Sequence, residues 1–107
     1  MILAGDFNGE SEEAFYQLLK NSNFVSAYRS LMNNSEPSYT TWKFKSREEN
    51  EKEESRTIDY IFYRSKNLLP IAYLDIPSKA DIGSNALPSI QYPSDHLALQ
   101  TIFQIEK

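Results

Sequence analysis

The first 21 residues contain a short apolar stretch and then apolar residues at helical spacing. Residues 2–7 (ILAGDF) are mainly apolar and end at a turn, which predicts a short buried strand. Apolar residues then recur at helical spacing over 14–21, and Ser11 precedes them as the expected N-cap. A strand followed by an amphipathic helix is therefore predicted at the start of the fold.

The remaining pattern is mainly typical of β-structure. Residues 39–44 (YTTWKF) and 57–63 (TIDYIFY) are rich in β-branched and aromatic residues, and we expect them to pair as a hairpin. Residues 71–76 predict a further short strand, and strict alternation over 97–105 predicts another. Between these two, residues 78–82 predict one helical turn ahead of Gly83.

The segment between the two aromatic strands, residues 46–55 (SREENEKEES), is charged and has no apolar residue. We expect a charged surface insertion, either a solvated loop or a frayed helical excursion. The wider stretch from Lys43 to Arg56 carries five basic and five acidic side chains and is neutral. The order of elements predicts an α/β sandwich layer in which antiparallel pairing dominates.

Composition limits the class of protein and the kind of site. The chain has 107 residues, 40% of them hydrophobic, which predicts a single globular unit, residues 1–107. It has no cysteine, which excludes disulfides and cysteine-ligated metals, and it has no signal peptide or membrane span. We therefore expect an intracellular protein, in the cytoplasm or, if a targeting segment lies upstream, in mitochondria. The net charge of -4 argues against broad electrostatic binding to nucleic acid.

Three aspartates stand beside apolar segments, where an unpaired carboxylate is costly to bury: Asp6, Asp59 and Asp95. Asp59 shares a strand face with apolar residues and needs a partner, and the chain has a single histidine, His96. A carboxylate that holds one imidazole nitrogen leaves the other free to donate to a phosphoryl oxygen. Carboxylates that converge at strand ends also suit a hard cation such as Mg²⁺.

Each of these motifs also has an ordinary structural interpretation. Asp95 and His96 together are typical of a turn capped by its own side chains, and residues 5–8 (GDFN) are typical of a turn after a strand. Tyr39 and Trp42 are typical of cross-strand packing. The functional interpretation therefore depends on the motifs occurring together and in this order.

Three segments, taken in order, resemble the C-terminal motifs of the endonuclease/exonuclease/phosphatase superfamily: residues 5–8 (GDFN), 57–62 (TIDYIF) and 92–97 (YPSDHL). Residues 39–43 (YTTWK) are similar to the carbon-catabolite-repressor deadenylase branch of that superfamily. The resemblance implies two mainly antiparallel sheets packed face to face and flanked by helices, with the active site at the top of the sandwich.

The resemblance also implies roles for individual residues. Asp6 would orient or deprotonate the attacking water, and Asn8 would help to position the water and the phosphate. His96 would bind the phosphoryl oxygen, with Asp59 as its orienting partner. Asp95 and Asp6 would bind Mg²⁺, with Mn²⁺ as the alternative.

Trp42 and Lys43 are further candidates for substrate binding within the deadenylase-like segment. The implied function is hydrolysis of a phosphoester by a metal-dependent enzyme. The implied substrates are the 2′-phosphate of NADP(H) and the 3′ end of poly(A) RNA, and the acidic balance of the chain favours the dinucleotide. A nuclease on damaged DNA and a phosphatase on lipid headgroups are alternatives, because the three motifs are shared across those relatives.

The principal metal-binding glutamate of the superfamily lies in the N-terminal half of the domain. None of Glu10, Glu12 and Glu13 stands in a matching context, so the resemblance implies that the chain corresponds to the C-terminal half of the fold. Half a sandwich exposes an apolar face, and we expect self-association or pairing with a missing N-terminal half. A truncated product that acts only by binding is the alternative function.

Overall fold

The computed structural model describes residues 1–47 and 50–106, which form seven strands and three short helices. Every strand pair is antiparallel, and this confirms the predicted mixed α/β class with mainly antiparallel sheet. Along the chain the elements are β1 (Ile2–Asp6), α1 (Ala14–Asn21), β2 (Val25–Ser26), α2 (Ala27–Leu31), β3 (Thr41–Arg47), β4 (Asn50–Arg56), β5 (Asp59–Tyr63), β6 (Leu68–Tyr73), α3 (Lys79–Ile82) and β7 (Thr101–Ile105). The longest described helix has eight residues, and none has the length and hydrophobicity needed to cross a bilayer.

The strand β5 lies in the middle of a three-stranded sheet, between β1 and β2. Because successive residues of a strand point to opposite faces, Tyr60 and Phe62 lie on one face and Asp59 on the other. Helix α1 covers the first face through an aromatic cluster that includes Tyr16 and Phe24. This arrangement directs the apolar positions of β5 into a core and directs its carboxylate to the opposite side of the sheet.

A second core lies at the base of the β3–β4 hairpin. Its buried members come from the hairpin, from α3 and from the chain that follows: Tyr39, Trp42, Ile82, Ala86, Leu87 and Leu97. At the edge of this core the Glu53 carboxylate accepts two hydrogen bonds, from the indole Nε1 of Trp42 at 2.8 Å and from the Nζ of Lys79 at 2.9 Å. The pKa of Glu53 is lowered because the Lys79 ammonium, and then the Trp42 indole, donate to its charged form.

The predicted hairpin between residues 39–44 and 57–63 is wrong. Strand β3 pairs with β4, from Thr41 opposite Arg56 to Arg47 opposite Asn50. Most of the expected loop or helical excursion at 46–55 is therefore strand, although residues 48 and 49 lie outside the described part of the chain. Oppositely charged side chains on the two strands stabilise this pairing, as in the ion pair between Lys45 and Glu54 at 3.0 Å. Composition alone does not reveal this stabilisation, because it depends on which residues face each other.

Two further predictions differ at the start of the chain. Helix α1 begins at Ala14 behind Glu13 rather than behind Ser11, and no side chain caps its first amide groups. Strand β1 is largely exposed and not buried, because it forms the edge of its sheet and packs mainly through Leu3.

The last predicted strands also have different limits. Strand β6 begins at Leu68 and not at residue 71, because Leu68 already pairs with Ile105. Residues 97–100 do not belong to β7, because their backbone groups bond elsewhere; the Gln100 carbonyl, for example, accepts from Leu74. The predicted helical turn is confirmed as α3, with Ser78 as its N-cap.

Thr40 is fully buried where three segments of the chain meet. Its backbone N–H donates to Arg56 at 2.8 Å, and its carbonyl accepts from Leu97 at 2.8 Å. Its hydroxyl oxygen accepts from the backbone N–H groups of Ile58 at 3.0 Å and Asp59 at 3.2 Å. One threonine thus joins the end of β4, the start of β5 and the segment that follows His96.

Replacing Thr40 by valine should lower the free energy of unfolding by about 1–3 kcal/mol, because the Ile58 and Asp59 amides lose their buried acceptor. Urea denaturation followed by circular dichroism measures this change. Thr41→Val is the matched control, since Thr41 is also buried but its hydroxyl takes no part in this junction. Equal losses in the two variants would contradict the role given to the Thr40 hydroxyl.

Candidate active site

Asp6, Asp59 and His96 come together at one end of the central sheet. The Nδ1 of His96 lies 2.8 Å from the Oδ2 of Asp59, and the Nε2 lies 3.8 Å from the Oδ2 of Asp6. One ligand atom from each of the three side chains falls within 4.8 Å of the other two. The structure therefore places one imidazole between two carboxylates.

Strand register accounts for the two carboxylates. Asp6 and Asp59 stand directly opposite each other in the antiparallel β1–β5 pair, so their side chains share a face of the sheet. His96 reaches them from a distant part of the sequence through a single β-bridge to Thr41. Its backbone N–H also donates to the hydroxyl of Ser94 at 3.1 Å, which holds the turn before it.

The three side chains differ in their access to solvent. The Asp59 side chain is 15% exposed, that of His96 is 30% exposed and that of Asp6 is 47% exposed. In the tautomer that the Asp59 carboxylate favours, Nδ1–H donates to Asp59 and Nε2 is directed toward Asp6. Asp59 is thus the least exposed of the three and supports the imidazole, and Asp6 is the carboxylate that solvent and ligands reach most easily.

Asn8 follows Asp6 in a tight turn. Its φ of 51° is left-handed, a conformation that asparagine tolerates better than most residues. Its backbone N–H donates to the Oδ1 of Asp6 at 2.7 Å. Gly9 comes next and is buried, and a Cβ at this position would lie only 2.7 Å from the Phe15 ring. The turn therefore fixes one oxygen of Asp6 and presents the exposed Asn8 beside it.

Asp95 lies outside this group of three. Its Oδ2 is 3.9 Å from the Nζ of Lys43, and both side chains are partly exposed. Asp95 directly precedes His96 in the chain, and Lys43 lies two residues after Thr41, which forms the bridge to His96. Lys43 is the candidate substrate contact that the structure places beside the site.

Trp42 lies elsewhere. Its ring belongs to the core beneath the hairpin, and its indole N–H is taken by Glu53. Strand alternation explains the difference, since Trp42 and Lys43 point to opposite faces of β3. The structure gives Trp42 a packing role.

Thr40 is the positioning residue that sequence reasoning missed. Its hydroxyl fixes the Asp59 backbone, and its carbonyl fixes the residue after His96. A threonine in a β-branched, aromatic segment looks like an ordinary strand residue. Its place within residues 39–43 was a signal for the segment as a whole and not for Thr40, because the partners of its hydroxyl are distant in sequence.

Comparison with known proteins found no matching family model. Among curated relatives, nocturnin of Xenopus laevis is 40% identical over 111 residues, covering 100% of this chain and 28% of that protein. Human nocturnin is 43% identical over 103 residues, covering 92% and 23%, and nocturnin of Drosophila melanogaster is 34% identical over 128 residues, covering 98% and 19%. The chain spans about a quarter of the length of these relatives.

A solved structure of the human nocturnin catalytic domain with a bound sulfate anion has a similar fold. The match has a TM-score of 0.70 and 36% sequence identity, and it covers 97% of this chain and 32% of that one. The sequence similarity and the structural similarity to nocturnin both extend over nearly the whole of this chain. The chain is therefore homologous to part of the nocturnin catalytic domain, within the endonuclease/exonuclease/phosphatase superfamily.

Proposed function

We propose that this chain supplies catalytic groups of a metal-dependent phosphoester hydrolase similar to nocturnin. The observation that carries the proposal is the contact of His96 with Asp59 and its approach to Asp6, in a chain homologous to a catalytic domain of that superfamily. A partly exposed imidazole backed by a mostly buried carboxylate is suited to stabilise charge on a phosphoryl group.

Asp6 orients the attacking water or accepts a proton from it, because it is the accessible carboxylate of the three. Asn8 positions the water and the phosphate from the neighbouring turn. As an imidazolium, His96 donates from Nε2–H to a phosphoryl oxygen as negative charge develops there, while its Nδ1–H donates to Asp59. Asp59 orients the ring and stabilises its positive charge.

Exposed carboxylates are the kind of ligand that a hard divalent cation prefers. Asp6 and Asp95 are the proposed ligands of Mg²⁺, or of Mn²⁺, because both carboxylates are partly exposed and Mg²⁺ retains several waters when few protein oxygens bind it. When bound, the cation neutralises charge on the phosphoryl oxygens. Lys43, which pairs with Asp95, contributes a second positive charge at the same end of the site.

The β3–β4 hairpin supports a substrate with several phosphates. The register places Lys43, Lys45, Lys52 and Arg56 on one face, with Glu54 among them, although the hairpin sequence is neutral as a whole. That face begins beside His96. The proposed substrates are accordingly NADP(H), attacked at its 2′-phosphate, and poly(A) RNA, shortened from its 3′ end.

Removing either half of the Asp59–His96 pair should lower the rate of phosphoester hydrolysis by about 10²–10⁴-fold, because the phosphoryl oxygen loses its oriented donor. Asp59→Ala and His96→Ala test this prediction, with phosphate release from NADPH and shortening of an adenine oligonucleotide as parallel assays. Lys66→Ala, at an exposed position in the β5–β6 turn, is the control. An unchanged rate in His96→Ala would refute the mechanism.

The proposal includes a partner for the apolar side of the β6–β7 sheet. Leu69, Ile71 and Ile102 are each about half exposed there. The solved relative is about three times as long as this chain, and we propose that the rest of such a catalytic domain covers this face. Light scattering with and without that complementary polypeptide separates this pairing from self-association of the 107-residue chain.

A second candidate function is binding without catalysis. It is favoured by one observation: no glutamate in the described ranges joins Asp6, Asp59 and His96 to complete a metal centre. In this case the chain would bind phosphoester ligands and turn none over.

Calorimetric titration with Mg²⁺ distinguishes the two candidates. For the hydrolase we expect saturable binding that Asp6→Asn weakens, because one carboxylate ligand is lost, together with measurable turnover. The control is Asp75→Asn, outside the site. If Asp6→Asn titrates like the unaltered chain and no phosphoester is hydrolysed, the binding function stands and the hydrolase proposal fails.

A further inference from the structure

A cavity of about 200 Å³ lies on the α1 side of the central sheet. Its aromatic walls are Tyr16, Phe24 and Phe62, which belong to the first core cluster. Phe62 and Asp59 point to opposite faces of β5, so the sheet separates this cavity from the candidate active site. None of the roles proposed above uses the residues that line it.

Two cationic side chains line the cavity, Lys20 from the end of α1 and Arg29 from α2. Over the ranges that the structure describes, neither forms an ion pair. The guanidinium of Arg29 lies over the Tyr16 ring, 5.1 Å from its centroid, and its buried Nε has no hydrogen-bond partner. A buried N–H of a charged group is costly without an acceptor, so this end of the cavity favours an anion.

The nearby carboxylate of Glu36 is already engaged. It accepts from the hydroxyl of Tyr16 at 2.6 Å and from that of Ser26 at 2.7 Å. Burial, and then the Glu36 acceptor, raise the pKa of Tyr16, so its ring lines the cavity as a neutral phenol. No ion pair joins Glu36 to Arg29. Within residues 1–47 and 50–106, the buried Nε of Arg29 thus has no acceptor, and a bound anion would supply one.

The size of the cavity limits the ligand. A cavity of about 150 Å³ is enough for a benzene ring, whereas drug-sized ligands and nucleotides need roughly 300–1,000 Å³. A single ring is the aromatic group that a cavity of this volume can hold, and a planar carboxylate matches the two-pronged geometry of a guanidinium. We propose that this cavity binds a small aromatic carboxylate, with the ring against the aromatic walls and the carboxylate at Arg29 and Lys20.

Nuclear magnetic resonance titration of the ¹⁵N-labelled 107-residue chain tests the proposal, with benzoate as the probe and benzamide as its uncharged analogue. We expect saturable shifts at the amides of Phe24, Ser26 and Ser30, which line the cavity. Benzamide should bind about tenfold more weakly or worse, because it lacks the charge that the two cations recognise. His96→Ala should bind benzoate normally, which separates this site from the proposed hydrolase function.

Substitutions of Lys20 and Arg29 test whether each cation contributes to benzoate binding. Lys20→Met and Arg29→Met should each weaken benzoate binding by about tenfold. Lys66→Met, an exposed lysine outside the cavity, should leave it unchanged. If Arg29→Met does not fold, two measurements still test whether the cavity recognises the negative charge. One is benzoate binding by Lys20→Met, at an exposed position, and the other is the comparison of benzoate with benzamide on the unaltered chain.

Three results would each overturn the proposal. The first is equal binding of benzoate and benzamide, and the second is the absence of saturable shifts. The third is a set of shifts centred on Lys43 and His96, which would mean that benzoate occupies the candidate active site instead.

Discussion

The buried hydrogen bonds of Thr40 hold the candidate active site together. The hydroxyl sets the backbone of Asp59, and the carbonyl sets the residue after His96, so one side chain and one peptide group fix both members of the pair. A buried amide N–H without an acceptor lowers the free energy of unfolding by about 1–3 kcal/mol. The short distance between Asp59 and His96 is thus a consequence of backbone geometry that Thr40 enforces.

The alternation of β5 divides the molecule into two chemical environments. Tyr60 and Phe62 supply a dry aromatic face that packs against α1, while Asp59 on the other face stands opposite Asp6. Two different sites follow from one strand. The active-site candidate uses the carboxylate face, and the small cavity with its unpaired Arg29 lies behind the aromatic face.

The β3–β4 hairpin shows how pairing creates a property that composition conceals. The stretch from Lys43 to Arg56 is neutral, yet the register places Lys43, Lys45, Lys52 and Arg56 on one face together with Glu54. The opposite face carries Trp42 and Glu53, which anchor the hairpin to α3 through Lys79. The basic face starts next to His96, so a segment expected to be a charged surface insertion forms part of the proposed substrate-binding surface.

The sequence by itself determined several local elements and the identity of the chemical groups. The apolar run of β1, the alternation of β5 and the Ser78 cap of α3 act over a few residues, and the motifs at 5–8, 57–62 and 92–97 indicated the superfamily to which the comparisons lead. The contact of Asp59 with His96 was also expected from the need of a half-buried carboxylate for a partner.

Only the tertiary structure decided which strands pair, that Trp42 is buried while Lys43 faces the site, and that Thr40 is the junction. These outcomes depend on cross-strand charge pairs and on hydrogen bonds between residues up to 57 positions apart, as from Leu97 to Thr40. Local propensity carries no information about such partners, because the same residues form equally good strands in either pairing.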